Sequence, residues 1–129
     1  MADFDASPRF DRKRLIGTVF RAAQSEPDVP TIVMGDFNTP IDSLWFERVR
    51  TRFHHVFETA GSGLLVTWPR ALPLVAIDHV WVSDGITPTC ATIESHAMSD
   101  HRLVAARLTL PGEDDDDTPL AHAGNAEAP

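Results

Sequence analysis

The apolar residues of this chain fall in short runs that proline, glycine and polar turns interrupt. The longest runs, such as 31–34 and 72–77, contain only a few residues. Runs of this length suit strands and short helices, and none is long enough to cross a bilayer as a helix. The sequence therefore predicts a small layered domain, and 129 residues leave room for one.

Two stretches have the spacing of amphipathic helices. The first covers about residues 12–25, with Asp11 as its expected N-cap. The second covers about residues 43–52, with Asp42 or Ser43 as its N-cap. Each carries an apolar stripe at helical intervals, formed by Leu15, Ile16, Val19, Phe20 and Ala23 in the first and by Leu44, Trp45, Phe46 and Val49 in the second.

Five further runs are apolar or rich in β-branched residues and predict strands, at 31–34, 64–68, 76–83, 90–95 and 103–110. Strands interspersed with two helices indicate a mixed α/β fold built in layers and exclude a pure helical bundle. The single cysteine excludes an internal disulfide framework.

The negative charge of the chain is concentrated at its C-terminal end. Six of the nineteen acidic residues lie in 113–129, where there is no lysine or arginine. Residues 1–112 therefore hold thirteen acidic and eleven basic residues, a net charge of −2, so a general basic surface for a polyanion is not predicted. We expect an irregular lead-in over 1–8 and a disordered acidic tail over 113–129.

The first residues lack the basic and apolar regions of a secretory signal peptide. No membrane-spanning segment is visible either. We therefore expect a cytoplasmic protein by default.

The first polar group that stands out follows the predicted strand 31–34. Gly35, Asp36, Phe37 and Asn38 come directly after it, and a glycine there lets the backbone turn and approach a ligand closely. In extended geometry Asp36 and Asn38 point to the same side. A carboxylate beside an amide can orient a water or a phosphoryl oxygen, but Asp and Asn are also ordinary turn residues, so both interpretations stay open.

The second is Asp78, which interrupts the apolar run 75–82. A carboxylate buried there without a partner costs several kcal/mol. Because Val80 and Val82 share its side of the strand, a solvated face is the weaker interpretation, and we expect a histidine or a metal as its partner. His79 points to the other side and is expected to pack in the core or to support the site from behind.

The third group, Ser99, Asp100 and His101, precedes the last predicted strand. Adjacent residues cannot reach one another in the relay geometry of a serine triad, so that mechanism is excluded. In the functional interpretation, Asp100 binds a hard cation and His101 acts on a leaving oxygen. A polar turn is the alternative.

The remaining histidines carry no predicted chemistry of their own. His54 and His55 follow the second predicted helix and are expected in a solvated loop. His96 ends a predicted strand near the third group and could support it. Trp68, beside Pro69, could line the mouth of a site.

Together the three groups resemble a known family. The segments 35–38 (GDFN), 77–80 (IDHV) and 99–102 (SDHR) look like the last three motifs of the endonuclease/exonuclease/phosphatase superfamily, which includes DNase I-like nucleases and inositol-phosphate phosphatases. Segment 67–69 (TWP) also resembles a segment of its bacterial branch. GDFN alone would occur by chance in about one such chain in a thousand, and coincidence with two further motifs in order is rarer.

The resemblance implies a fold: an α/β layered β-sandwich with flanking helices of the DNase I-like type, of which residues 9–112 would form the C-terminal half. One sheet with two helices would leave an apolar sheet face uncovered. We therefore expect as partner either a second copy of this chain or a missing N-terminal half.

The resemblance also implies a role for each site residue. Asp36 would activate or orient the attacking water, and Asn38 would position the phosphate. Asp78 would orient His101, which would stabilise the transition state or act as acid or base. Asp100 and Asp36 would hold a divalent metal, Mg²⁺ or Mn²⁺. The predicted function is metal-dependent hydrolysis of a phosphodiester or phosphomonoester, with nucleic acid among the candidate substrates.

The family pattern is incomplete in this chain. Members begin with an Asn motif and a Glu motif that supplies the main metal ligand, and no acidic residue before Asp36 fits that Glu motif. The alternative prediction is a truncated remnant or binding module without catalytic activity.

Overall fold

The computed structural model describes residues 9–112, which form two α-helices, a short 3₁₀ helix and five strands. In chain order these are α1 (Arg9–Ala23), β1 (Ile32–Asp36), the 3₁₀ helix (Leu44–Phe46), β2 (Phe53–His55), α2 (Val56–Ala60), β3 (Asp78–Ser83), β4 (Thr87–Ser95) and β5 (Arg102–Thr109). The predictions for 1–8 and 113–129 lie outside the described residues. Among the described residues, no helix has the length and apolarity needed to cross a membrane.

β3 is the central strand of a three-stranded sheet with the order β1-β3-β2. Both neighbours run antiparallel to it. In the β1–β3 register Asp36 lies opposite Asp78, and Gly35 lies opposite His79. β4 and β5 form a separate antiparallel pair. The register of the larger sheet thus places two of the sequence motifs side by side.

The helix α1 covers one face of the larger sheet. Its apolar stripe buries Ile16 and Phe20, as helical spacing predicts. Phe20 meets Trp81 of β3 edge-on, with ring centroids 6.0 Å apart. Five further buried side chains complete this first core cluster: Val33, Phe37, Phe46, Val49 and Phe53.

The opposite face of the sheet packs against α2, β4 and β5. Because side chains alternate along a strand, Val82 points away from Trp81, and it is fully buried in a second cluster. That cluster contains Val56, Phe57, Ile86 and Ala91, extended by Ile93, Ala106 and Leu108. A helix, a three-stranded sheet and a second β layer therefore follow one another, which confirms the predicted layered α/β architecture.

Most predicted elements are present with shifted ends. α1 begins at Arg9, so Asp11 lies in its first turn and does not cap it. β1 continues through Asp36 instead of ending before the glycine, because Gly35 and Asp36 remain paired with β3. The GDFN motif (35–38) therefore begins inside the sheet.

The helix predicted over 43–52 is wrong. The segment forms a 3₁₀ helix over Leu44–Phe46 and continues as turns. The Arg50 amide bonds four residues back to Phe46, but the Glu47 amide bonds only three residues back to Leu44. Because the two hydrogen-bond patterns alternate, regular α-helical winding is not sustained.

The strand predicted over 64–68 is also wrong. Leu64 is exposed, and the segment's sheet-like contact is a single bridge between Trp68 and Val75. The amides of Thr67 and Trp68 both bond to the Val75 carbonyl. A strand would instead alternate its bonds along the partner, so this segment forms an irregular hairpin.

β2 and α2 are too short for the hydrophobic pattern to reveal. The loop predicted for His54 and His55 is wrong, because both residues lie in β2. His54 is exposed as expected, but His55 is only 3% exposed. The Nδ1 atom of His55 accepts a hydrogen bond from the Glu58 amide and so caps α2. The alternation of buried Phe53, exposed His54 and buried His55 is typical of a strand, but three residues are too few for the sequence to reveal it.

β1 leaves apolar side chains exposed on one face. Met34 is 74% exposed and Ile32 is 44% exposed, although they share a sheet face with Val80 and Val82. Within residues 9–112, β1 is an edge strand that pairs only with β3. The uncovered apolar face expected from the sequence is therefore limited to the β1 side of the sheet, because Val82 on the same face is buried in the second cluster. Its partner, a second copy or an N-terminal half, stays a prediction.

Gly61→Ala is expected to lower the free energy of unfolding by about 1–3 kcal/mol. A Cβ atom at Gly61 would lie 2.4 Å from the Phe57 carbonyl oxygen and 2.5 Å from its ring. Gly17→Ala is the matched control, because its Cβ would meet only the Arg21 guanidinium at 3.9 Å and alanine favours the helix by about 1 kcal/mol. Urea unfolding compares the variants, and a Gly61→Ala protein as stable as Gly17→Ala would contradict the packing of α2.

Candidate active site

The two motif carboxylates are brought together by strand pairing. Asp36 is the last residue of β1, and Asp78 is the first residue of β3. They are direct partners in the ladder, so their side chains lie on the same sheet face. The amide of Phe37 continues the pairing by donating to the Ile77 carbonyl at 2.8 Å. Like charges in this position repel, so a cationic group must lie between or beside them.

Asn38 lies in a tight turn directly after β1. Its φ angle is +47°, in the left-handed region that asparagine tolerates. The Asn38 amide donates to Asp36 Oδ1 at 2.8 Å, and its side-chain Nδ2 lies 3.4 Å from Asp36 Oδ2. Arg12 on α1 donates to the Asn38 carbonyl at 2.8 Å. The turn and functional interpretations are therefore compatible, because the turn fixes the Asp36 carboxylate and the Asn38 amide side by side.

His101 supplies the group that the paired carboxylates need. Its Nδ1 atom lies 2.9 Å from Asp78 Oδ2, so Nδ1–H donates to the carboxylate. Its Nε2 atom lies 4.0 Å from Asp36 Oδ2, which is too long for a direct hydrogen bond and suits one bridging water or phosphoryl oxygen. The side chains of Asp36, Asp78 and His101 remain 38%, 20% and 26% exposed, so a ligand can reach them.

The surroundings raise the pKa of His101 above its ordinary value. Partial burial opposes the charged form, but the hydrogen bond and charge of Asp78 outweigh it, and the charges of Asp36 and Asp100 act in the same direction. The imidazolium form is therefore more populated near neutral pH than for a free histidine. An imidazolium has N–H donors on both ring nitrogens, so the second donor faces Asp36.

Thr67 holds the backbone beside the candidate site, a contact that the three polar groups of the sequence do not reveal. It is fully buried, and its hydroxyl accepts hydrogen bonds from the amides of Ile77 and Asp78 at 3.1 and 3.2 Å. Its carbonyl accepts from the Arg102 amide at 2.8 Å. One residue therefore fixes the backbone beside both members of the Asp78–His101 pair. Its place in the TWP segment was the only sequence signal.

The other residues that the sequence singled out lie outside this cluster. Asp100 is exposed, and its carbonyl accepts from the Arg70 amide at 2.6 Å. The Trp68 ring lies 6.5 Å from the His101 ring, centroid to centroid, in agreement with a place at the mouth of the site. His96 is exposed, and its Nδ1 accepts from the Met98 amide at 3.4 Å, within the loop that leads to Asp100.

The donor set of this centre fits a divalent cation. One ligand atom each from Asp36, Asp78 and His101 lies within 4.8 Å of the others. Two carboxylates suit hard cations such as Mg²⁺, and an imidazole nitrogen is also acceptable to Mn²⁺. Of the two ligands predicted from the sequence, Asp36 belongs to this cluster and Asp100 does not.

A sequence model of the endonuclease/exonuclease/phosphatase family matches residues 3–101. The chain belongs to this family. The match includes every motif that carries the resemblance up to His101, so the identification made from the sequence is confirmed. Members of the endonuclease/exonuclease/phosphatase family are generally metal-dependent, which agrees with the carboxylate and histidine cluster. No curated protein sequence matches the chain.

Solved structures share the fold at low sequence identity. The endonuclease/exonuclease/phosphatase from Bacteroides vulgatus is 23% identical, with a TM-score of 0.71 over 83% of this chain and 47% of that one. A conserved protein of unknown function from Enterococcus faecalis V583 is 20% identical, with a TM-score of 0.71 over 84% and 48%. A mannosyl-6-phosphatase from Bacteroides thetaiotaomicron VPI-5482 is 18% identical, with a TM-score of 0.61 over 83% and 49%.

These similarities confirm the predicted DNase I-like fold class. The chain spans about half the length of the solved structures it matches, 47% to 49%. The family and the shared fold support a phosphoesterase-like fold.

Proposed function

We propose that this chain hydrolyses phosphoesters at the centre formed by Asp36, Asn38, Asp78 and His101. The observation that carries the proposal is the line of contacts from Asp78 to His101 Nδ1 at 2.9 Å and from His101 Nε2 towards Asp36 at 4.0 Å. Family membership supports a phosphoester substrate. Hydrolysis of such a bond depends on positioning and charge neutralisation more than on covalent chemistry, and fixed polar groups provide both.

Each side chain has a role that its contacts allow. The Asp36 carboxylate accepts a proton from the attacking water, and its own bond from the Asn38 amide holds it in place. The Asn38 side-chain amide donates to a phosphoryl oxygen. His101, oriented by Asp78 and favoured as imidazolium, stabilises the charge on the phosphoryl group or protonates the leaving oxygen.

A divalent cation, Mg²⁺ or Mn²⁺, completes the proposal. Asp36 would hold it, together with a carboxylate oxygen of Asp78 or with Asp100 as the sequence predicts, because His101 as an imidazolium has no lone pair for a metal. A bound cation would neutralise charge on the phosphoryl oxygens. The side chains supplied by this chain would bind and orient the substrate beside it.

The substrate class is tested with phosphomonoesters and with phosphodiesters. The near-neutral charge of residues 1–112 favours small or weakly anionic substrates over tight binding to nucleic acid. Because one similar structure is a mannosyl-6-phosphatase, sugar phosphate monoesters belong in the screen with bis-p-nitrophenyl phosphate and short oligonucleotides.

Asp36→Ala is expected to lower kcat for bis-p-nitrophenyl phosphate at least about a hundredfold, because it removes the predicted base and metal ligand.

Asp84→Ala is the matched control. Asp84 is an exposed carboxylate that pairs with His54 at 2.8 Å, and about 20 Å of strand separates it from Asp78. Initial rates with Mg²⁺, with Mn²⁺ and with EDTA are compared at equal fold content. Equal rates for Asp36→Ala and Asp84→Ala would refute the site. A folded chain without turnover would favour the binding module.

A further inference from the structure

A buried pair of histidines lies directly behind the candidate active site. His79 is 1% exposed and His55 is 3% exposed, and their ring centroids are 5.3 Å apart. His79 follows Asp78 on β3, so its side chain points to the opposite sheet face. Neither ring can touch a substrate in the site, and the chemistry proposed above uses neither.

The hydrogen bonds of the pair determine where each proton lies. His79 Nε2 is 2.8 Å from the Thr39 carbonyl oxygen, and a carbonyl only accepts, so His79 carries its proton on Nε2. His79 Nδ1 is then an acceptor. His55 Nε2, 3.3 Å away, must donate to it. His55 Nδ1 is left to accept from the Glu58 amide at 3.3 Å.

This arrangement uses all four ring nitrogens once. Both rings are neutral Nε2–H tautomers, and the bonds run in one direction from the start of α2 through His55 and His79 to Thr39. Burial disfavours the charged form of both rings and lowers the pKa of each. The chain of bonds therefore ends on a single acceptor, the Thr39 carbonyl, which belongs to the turn that carries the site.

Other contacts anchor the near end of the turn. Within the described residues, the Phe37 amide bonds to the Ile77 carbonyl at 2.8 Å, and Arg12 bonds to the Asn38 carbonyl at 2.8 Å. Thr39 is 2% exposed, and its own hydroxyl has no partner. The bond from His79 ties the far end of the turn, at Thr39, to β3.

We propose that His79, held in its tautomer by His55, is a positioning residue that fixes the turn carrying Asp36 and Asn38 relative to Asp78. Strand β3 then positions both parts of the site. Asp78 points into the site from one face of β3, and His79, on the other face, holds the turn that carries Asp36 and Asn38. The expected effect on turnover rests on the proposed function, whereas the positioning itself does not.

Two variants separate the hydrogen bond from the packing. His79 packs among aromatic rings, including Phe46 at 5.2 Å and Phe37 at 5.6 Å between centroids. His79→Phe retains an aromatic ring but leaves the Thr39 carbonyl without its donor. His79→Gln retains an N–H donor at a similar distance from the backbone. A role in positioning predicts a defect in His79→Phe that His79→Gln restores.

The first test needs no activity. Long-range ¹H–¹⁵N correlation spectra of the unaltered chain should show His55 and His79 as Nε2–H tautomers. In His79→Phe, hydrogen exchange at the Phe37 amide should accelerate at least about tenfold relative to the Ser83 amide, which bonds to Thr31 at the other end of the same strand pair. His79→Gln should restore the ratio. An Nδ1–H tautomer in His79, or an unchanged exchange ratio in His79→Phe, would overturn the inference, and the tautomer result stands even if a variant fails to fold.

The second test measures the catalytic consequence. With bis-p-nitrophenyl phosphate, His79→Phe should lower kcat by about tenfold to a hundredfold with KM changed less than about twofold, since small misplacements of reacting groups affect the rate more than binding. His79→Gln should recover most of kcat. If kcat is unchanged in His79→Phe while Asp36→Ala is inactive, the effect of His79 on catalysis is refuted and the site assignment stands. Absence of turnover in the unaltered chain would instead refute the proposed function and leave the exchange result to decide the positioning.

Discussion

Replacing Asp78 by asparagine is expected to lower kcat for phosphoester hydrolysis by about 10²- to 10⁴-fold while the chain stays folded. Asp78 accepts the Nδ1–H bond of His101 at 2.9 Å and provides the nearest negative charge. An asparagine keeps the shape of the side chain but removes the charge, and its amide nitrogen can favour the wrong tautomer of the ring. His101 would then lose both its orientation and its stabilised imidazolium.

The same substitution has a direct spectroscopic consequence. Because the bond and charge of Asp78 are the largest of the causes that raise the pKa of His101, Asp78→Asn should lower that pKa. The titration is followed by NMR of the His101 ring in metal-free protein. Asp84→Asn is the matched control, since it alters the exposed His54–Asp84 pair and should leave His101 unchanged. A His101 pKa that is equal in both variants would contradict the pairing on which the site depends.

The free energy of unfolding is expected to fall as pH falls from 7 towards 4. Burial, with a smaller contribution from the neighbouring His79, lowers the pKa of His55 from 6.5 to about 4. In this window the unfolded chain binds a proton that the folded chain excludes, so the stabilisation is complete above pH 6.5 and is lost towards pH 4. The loss from His55 amounts to about 3 kcal/mol over the window.

Other groups near His55 modify this dependence. His79 has a lowered pKa for the same reason and acts in the same direction. Glu58 contributes below its ordinary value of 4.5: burial opposes its charged form, but its hydrogen bond and ion pair with Arg50 lower its pKa. The raised pKa of His101 contributes stability at low pH that is lost as pH rises, and so partly opposes the effect.

Urea unfolding at pH 7 and pH 5 measures the dependence. His55→Phe is the test variant, because it keeps an aromatic ring near Trp81 and cannot titrate. The variant should be less stable at pH 7, having lost the α2 cap and the bond to His79, but its stability should change less between the two pH values. An equal pH dependence in both proteins would contradict the neutral, buried state of His55.

The parts of the fold that the sequence predicts are those with a local signal. The stripe around Ile16 and Phe20 defines α1, and the run rich in β-branched and apolar residues around Trp81 defines β3. The segment 43–52 has buried side chains at nearly helical spacing, so the pattern cannot distinguish a helix from successive turns. β2 and α2 contain only three and five residues, too few for a period to emerge.

The candidate site follows a similar division. Its residue types are visible in the motifs around Asp36, Asp78 and His101, and the resemblance implies their roles, which stay predictions. Their arrangement depends on the β1–β3 register, a pairing between residues about forty positions apart that no local pattern encodes. The supporting contacts of Thr67 and His79 are hydrogen bonds between distant segments, and the hydrophobic pattern does not register them.

Hydrolysis of bis-p-nitrophenyl phosphate by the unaltered chain and by His101→Ala, in Mg²⁺ and at equal fold content, tests the central claim most directly. His54→Ala is the matched control, because it removes an exposed histidine of the same pairing type. We expect metal-dependent turnover in the unaltered chain and in His54→Ala, and a loss of at least about a hundredfold in His101→Ala. Equal turnover in His101→Ala, or none from the folded, unaltered chain, would contradict the claim that these residues form a working phosphoesterase site.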